Sequence, residues 1–206
     1  MTADDPTPAA GPVRILTVCT GNICRSPYAA VLLREGLQWA RPGAFEVTSA
    51  GTHALVGHAM DPASAALLAG KGLADDGFRA RLLTHRLLLE QAVVLVMASQ
   101  HKDVVLDETP AAHRRTLTVR ELAHALDVVG REHDWREVLA GAGADDVVSR
   151  WRVLPQVVAA HRRRMSRADR DVVDPYQRGD KVFAQMGREI DPAVRTIVTW
   201  ERQFER

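Results

Sequence analysis

Cys19 is followed six positions later by Arg25, with Thr20, Gly21, Asn22, Ile23 and Cys24 between them and Ser26-Pro27 just beyond. A thiolate is a strong nucleophile, and a guanidinium presents a planar fork that donates two parallel hydrogen bonds to the oxygens of one tetrahedral anion. At this spacing the loop closes into a cradle, with the thiol at its floor and the guanidinium at its rim. Gly21 permits a positive φ or a close anion approach, and Asn22 is the next most tolerant residue for a left-handed turn. The Ser26 hydroxyl can donate to the sulfur and favour the thiolate. A free thiol titrates near ~8.5, and helix N-termini and neighbouring cations lower that value. The chemistry that fits is nucleophilic attack by sulfur on phosphorus or arsenic.

Such a loop works only on a rigid frame. Val13–Val18 is an apolar run that reads as a buried strand, and Ser26-Pro27 opens a helix with proline in the first turn, where its missing N–H costs nothing. The thiol therefore stands at a strand-to-helix turn, where converging backbone N–H groups and the helix dipole make a positive field. Downstream, Ala29–Ala40 has helical apolar spacing, Phe45–Ser49 reads as a strand ending at Gly51, and Asp61-Pro62 starts a helix that stops near Gly70 or Gly72. A helix is expected between Thr84 and Gln91, a strand apolar on both faces over Ala92–Met97, a short strand near Arg115–Leu117, and a helix over Val119–Leu126. This alternation predicts an α/β fold, a doubly wound four-stranded parallel sheet of order 2-1-3-4 with helices on both faces. Residues 127–170 fit the scheme poorly and read as a helical insertion, with helices around Asp134–Leu139 and Asp145–Leu154 and another opened by Pro155 and ending at His161–Arg164. Ile190, Val194, Ile197, Val198 and Phe204 form the apolar stripe of a C-terminal helix, and Trp135, Trp151 and Trp200 read as packing groups.

The chain has 206 residues, 46% of them hydrophobic, and a net charge of +1, so no global field favours nucleic acid or a membrane surface. Residues 1–12 lack both a basic start and an apolar centre; they read as a loose tail rather than a signal peptide, leaving 13–206 as one domain. No apolar stretch reaches membrane-spanning length. Two cysteines in one loop staple nothing, which suits a reduced, cytoplasmic protein. His53, His58 and His85 show no metal-ligand spacing with them, so no metal and no cofactor is expected.

Cys19–Ser26 resembles the phosphate loop of the low-molecular-weight protein tyrosine phosphatases. The resemblance continues in Thr48-Ser49-Ala50-Gly51-Thr52, Leu95-Val96-Met97 and the late Asp174-Pro175-Tyr176, and it covers roughly residues 13–124 and 171–204 in matching order. It implies that Cys19 is the nucleophile and Arg25 the clamp on the phosphoryl oxygens. Asp174 would then be the general acid that protonates the leaving oxygen, and afterwards the base that activates water against a cysteinyl-phosphate. Thr20, Gly21, Asn22, Ile23, Cys24 and Ser26 would bind the substrate phosphate, Asn22 with Ser49 would hold the strained turn, and Tyr176 would wall the mouth. Three positions depart from the family pattern: Gln177 replaces a second aromatic, Leu55 stands at the other aromatic-wall position, and Phe78 replaces a histidine that buttresses the loop asparagine. The expected substrate is a protein phosphotyrosine or a small aryl phosphate. Arsenate reduction coupled to a small thiol is the rival reaction, because two cysteines in one loop leave no distal disulfide relay. A weakly catalytic phosphoprotein-binding regulator is the third reading, with the 127–170 insertion as its possible cover.

Other residues have plainer expectations. Cys24 is either a redox partner of Cys19 or a buried loop residue without reaction of its own. Asp171, the acid nearest Asp174, reads as an exposed loop charge. The basic run His161–Arg164, with Arg167 and Arg170, reads as a solvated helix face.

Overall fold

The computed structural model describes residues 11–160 and 165–204. The readings of residues 1–10 as a tail and of His161–Arg164 as a helix face and helix end fall outside them.

Strands β1 (Val13–Cys19), β2 (Phe45–Gly51), β3 (Val93–Val96) and β4 (Thr116–Thr118) pair in parallel in the order β2-β1-β3-β4. Successive strand residues point to opposite faces, so a sheet covered on both sides must be apolar on both. Ile15, Val93, Leu95 and Met97 enter the larger core, together with α1 (Arg25–Ala40), α5 (Val119–Glu132) and α9 (Asp180–Arg202). Leu16, Val18, Val94 and Val96 enter a smaller core on the other face, with α3 (His85–Leu89), α4 (Ser99–Glu108) and the 3-10 turn Pro110–Arg115. β1 lies at the centre of the order, and its carboxyl end delivers Cys19 directly into the turn before α1.

Local signals place the connecting helices. Asp61 caps α2 (Pro62–Ala69) by accepting from Ala63 N, with Pro62 at the first position. Thr118 and Glu121 form a reciprocal capping box on α5, whose buried Val119, Leu122, Leu126 and Val129 make one stripe. The structure departs from expectation at two helices. α4 has no apolar stripe to announce it: His101 and Val105 are its buried residues, and its N-cap position is Ala98, which has no capping side chain. Pro155 opens no new helix but lies inside α7 (Val147–Ala160), where its missing N–H leaves one turn without a backbone bond while packing on both sides carries the helix through.

α6 (Trp135–Gly141) and α7 share the main core rather than standing apart from it. Trp151 meets Phe45 and Trp200 edge-to-face at centroid distances of 5.2 and 5.5 Å, and Trp135 meets Trp200 at 5.4 Å, so the three tryptophans do pack. Behind them the fully buried Glu201 accepts from Arg150 Nη2 at 2.7 Å, from Trp151 Nε1 at 2.8 Å and from Arg41. A cavity of about 710 Å³ between α7 and the amino ends of β1 and β3 is lined by Arg14, Ala92, Arg115 and Arg152. α7 therefore sits at the pole opposite Cys19, and none of the described residues of 127–170 lines the cavity at the loop. No helix among the described residues is long and apolar enough to cross a membrane.

Candidate active site

The loop is shaped from outside. The carbonyls of Cys19, Thr20, Gly21 and Ile23 accept from the backbone N–H groups of Thr52, His53, Leu55 and Asp61 at 2.9–3.0 Å. A planar peptide places its N–H opposite its carbonyl, so outward carbonyls turn the amides between Thr20 and Cys24 toward the loop's centre. Preorganised amides of this kind form a concave anion site. Gly51, paired with Cys19 in the sheet, is required by the fit: a Cβ there would lie 2.5 Å from Thr20 O and 2.9 Å from Asn22 Cβ.

Asn22 sits at φ +54, the left-handed conformation that the loop needs, whereas Gly21 does not adopt a positive φ. Its amide is held on every side. Nδ2 donates to Ser26 Oγ and Ser49 Oγ at 2.9 Å each, and Oδ1 accepts from Arg81 N at 2.9 Å. The partner expected at Phe78 is thus supplied by the backbone of Arg81, whose guanidinium also donates to Ser49 O. Ser26 Oγ accepts from Asn22 and has two acceptors within reach of its own hydrogen, Cys19 Sγ at 3.0 Å and the more distant Ala50 O at 3.5 Å. Asn22 and Ser26, expected among the substrate-binding groups, keep their side chains fully buried behind the loop and do not line its cavity.

That cavity, of about 150 Å³, is bounded by Cys19, Thr20, Gly21, Ile23, Cys24 and Arg25 from the loop and by His53, Leu55, Asp174 and Tyr176 from outside it. Tyr176 stays 45% exposed at the mouth, and Gln177 beside it turns at φ +59. Arg25 is 3% exposed, deeper than a rim position; its Nη2 lies 2.7 Å from Asp174 Oδ2, and Nη1 donates to Val172 O at 3.4 Å. Arg25 Nε is buried without a partner, a donor that an oxyanion in the adjoining cavity would satisfy. Cys24 is buried beside the first turn of α1; burial, with the charges of Asp61, Cys19 and Asp174, pushes its thiol well above the usual range, so it stays protonated.

Two contributors escaped sequence reasoning. His101, on the unanticipated α4, is 1% exposed and places Nε2 2.9 Å from Thr20 Oγ1. Burial, and then the nearby Arg25 charge, lowers its pKa to about 3 despite Asp171, so the ring is neutral. Asp171 is not an exposed loop charge. Its side chain is 19% exposed, and Oδ1 accepts from Ser99 N at 2.8 Å and Ser99 Oγ at 2.7 Å. Burial opposes ionisation, but these bonds and Arg167 outweigh it and hold the carboxyl below the usual range. On α8 (Arg167–Arg170), Arg167 is 69% exposed, as a solvated face would have it, and still pairs with Asp171 at 3.1 Å, whereas the half-buried Arg170 lies 3.6 Å from Glu121.

The sequence profile described as low molecular weight phosphotyrosine protein phosphatase matches residues 14–135. The chain belongs to that family. It is 40% identical over 103 residues to the low molecular weight protein-tyrosine-phosphatase Etp of Escherichia coli, a match covering 50% of this chain and 66% of Etp, just under two thirds of that relative. It is 39% identical over 116 residues to a protein-arginine-phosphatase of Geobacillus stearothermophilus, covering 56% of this chain and 75% of that one. Among solved structures, Vibrio vulnificus Wzb in complex with benzylphosphonate superposes with TM-score 0.63 at 22% identity, over 92% of this chain and 99% of Wzb. The YwlE arginine phosphatase of Geobacillus stearothermophilus gives 0.61 at 26% identity, over 95% and 99%. The family match ends well before Asp174; the fold is what brings that carboxylate onto Arg25.

Proposed function

We propose that the protein hydrolyses phosphomonoesters, with protein phosphotyrosine as substrate, through a cysteinyl-phosphate on Cys19. The observation that carries the reading is the meeting of three groups at one small cavity: a buried thiol bonded to Ser26, the Arg25 guanidinium, and the Asp174 carboxyl 2.7 Å from it. A phosphoryl group entering the loop takes two oxygens to Arg25 and the rest to the inward amides. It replaces Asp174 as the guanidinium's partner and leaves that carboxyl at the mouth, where the departing oxygen emerges. Sulfur attacks phosphorus as the P–O bond breaks, and Asp174 delivers the proton that a phenolate of pKa near ~10 needs. Water, deprotonated by the same carboxylate, then attacks phosphorus, releasing phosphate and restoring the thiolate. Ile23, Leu55 and Tyr176 supply an apolar mouth that suits an aryl ring. Thr20, Gly21 and Cys24 contribute backbone to the cradle, and no metal or cofactor enters any step. Two free cysteines accord with a reducing, cytoplasmic setting.

Phosphoarginine is the second reading, favoured by the arginine phosphatase that matches over three quarters of its length. One assay separates the possibilities. Wild-type protein should turn over a phosphotyrosyl peptide faster than a phosphoarginyl peptide, Cys19→Ala should abolish both, and Asp174→Asn should slow the tyrosyl substrate by about 10²–10⁴-fold. A reversed preference would make phosphoarginine the substrate. Tight phosphopeptide binding without turnover would make the protein a binding module, and arsenate-dependent thiol oxidation outpacing hydrolysis would make it a reductase.

A further inference from the structure

Asp174 lies on a segment between α8 and α9 that has no regular structure of its own, yet a general acid must be held in place to be useful. Besides the two Arg25 contacts, the bonds that hold this segment fall at residues 171–173, just upstream of the acid. Asp171 Oδ1 takes both the backbone N–H and the hydroxyl of Ser99, and Asp171 Oδ2 accepts from Arg167 Nε. Val172 N donates to Met97 O at 2.8 Å, and Arg120 Nη1 donates to Asp171 O at 3.0 Å. Val173 N is then fixed by Glu189 at 2.8 Å.

The Ser99 contact is more than a loop tether. α4 begins at Ser99 behind an alanine N-cap, so its first turn lacks the side-chain acceptor that helices usually carry there. Asp171 supplies that acceptor from 72 positions away, with its charge at the favourable end of the helix dipole. The same turn of α4 carries His101 to Thr20 of the catalytic loop. One helix start is therefore bonded both to the segment bearing the acid and to the loop bearing the nucleophile.

We propose that Asp171, acting through Ser99 at the start of α4, is a positioning residue that sets Asp174 in register with the phosphate cradle. The assignment rests on the hydrolytic reading above, in which Asp174 is the acid. Asp171 touches no substrate; its carboxylate is directed into the helix turn.

Positioning of an acid has a signature that general support of the fold lacks. A poor leaving group needs the proton and a good one does not, so misplacing the acid changes the ratio between them. The measurement is kcat/KM for phenyl phosphate and for nitrophenyl phosphate, which reports all steps through departure of the phenol. For Asp171→Ala the nitrophenyl-to-phenyl ratio should rise at least about tenfold over wild type, within the ~10²–10⁴ that a general acid supplies. Asp171→Asn, which keeps an acceptor for Ser99, should recover most of the loss, and Ser99→Ala should shift the ratio in the same direction by less. If Asp171→Ala does not fold, the Ser99→Ala ratio decides. A parallel loss on both esters, or an unchanged ratio in a folded variant, would overturn the proposal even if Asp174→Asn behaves as an acid variant should. Absence of turnover by wild-type protein would instead overturn the hydrolytic reading itself.

Discussion

At the scale of single residues, the shape of the loop depends on Asn22, whose side-chain amide makes every hydrogen bond open to it. Asn22 spends both amide hydrogens on Ser26 and Ser49 and its oxygen on Arg81 N, which leaves the Ser26 hydroxyl with Cys19 Sγ as its nearer acceptor and Ala50 O as its farther one. His101 raises a pH question of its own. In the unfolded chain its imidazole titrates near ~6.5, whereas in the fold burial and Arg25 hold it at about 3. Between those values only the unfolded chain takes up the proton, so this contribution to stability is complete above ~6.5 and is lost as pH falls toward about 3. His101→Gln removes the titrating group while retaining an amide that can meet Thr20. Its free energy of unfolding should fall less than that of wild type between about pH 7 and about pH 5, measured by urea denaturation at both. An identical decline in the two proteins would show that His101 titrates normally in the fold.

At the scale of elements, α7 and α9 are joined through Glu201. That carboxylate is fully buried, and Arg150, 6% exposed, has its charge matched by it. Glu201→Ala leaves a buried guanidinium without its counter-charge, a change that typically destabilises by about 3–5 kcal/mol. The midpoint of urea unfolding should drop accordingly, while kcat/KM of the protein that remains folded stays near wild type, because α7 lies at the far pole. The strands, the loop and the start of α2 were legible in the sequence because their signals are local, a two-faced apolar run and Asp61-Pro62, while for α3 only a helix between Thr84 and Gln91 was legible and not its Thr84 cap. α4 was not, since two buried residues in ten positions make no stripe. Asp171 was misread for a related reason. A carboxylate in a loop advertises nothing when its partner, Ser99, is remote in sequence and the helix it caps is itself unmarked. Pro155 misled in the opposite way, being a local stop signal overridden by packing around Trp151 and Leu154.

At the scale of the whole molecule, the sheet separates two ends with different tasks. At the amino ends of the strands, α7 and its aromatic neighbours close the larger core; at the carboxyl ends, segments from four parts of the chain meet over one thiol. The loop brings sulfur and guanidinium, residues 52–61 hold its carbonyls outward, the start of α4 steadies Thr20, and the segment before α9 brings the acid. The family profile matches residues 14–135, so the proposed mechanism takes its acid, Asp174, from beyond the matched segment. The central claim is that phosphorus passes through sulfur at Cys19, and an acid-quenched mass measurement tests it most directly. Nitrophenyl phosphate needs little help from an acid to transfer its phosphoryl group, whereas hydrolysis of the intermediate needs the base, so Asp174→Asn should accumulate the adduct. After quenching, the peptide containing Cys19 should carry the mass of one phosphoryl group, and the Cys19→Ala, Asp174→Asn double variant should carry none. Steady turnover of nitrophenyl phosphate with an unmodified Cys19 peptide, or with the phosphoryl group on another residue, would contradict the account.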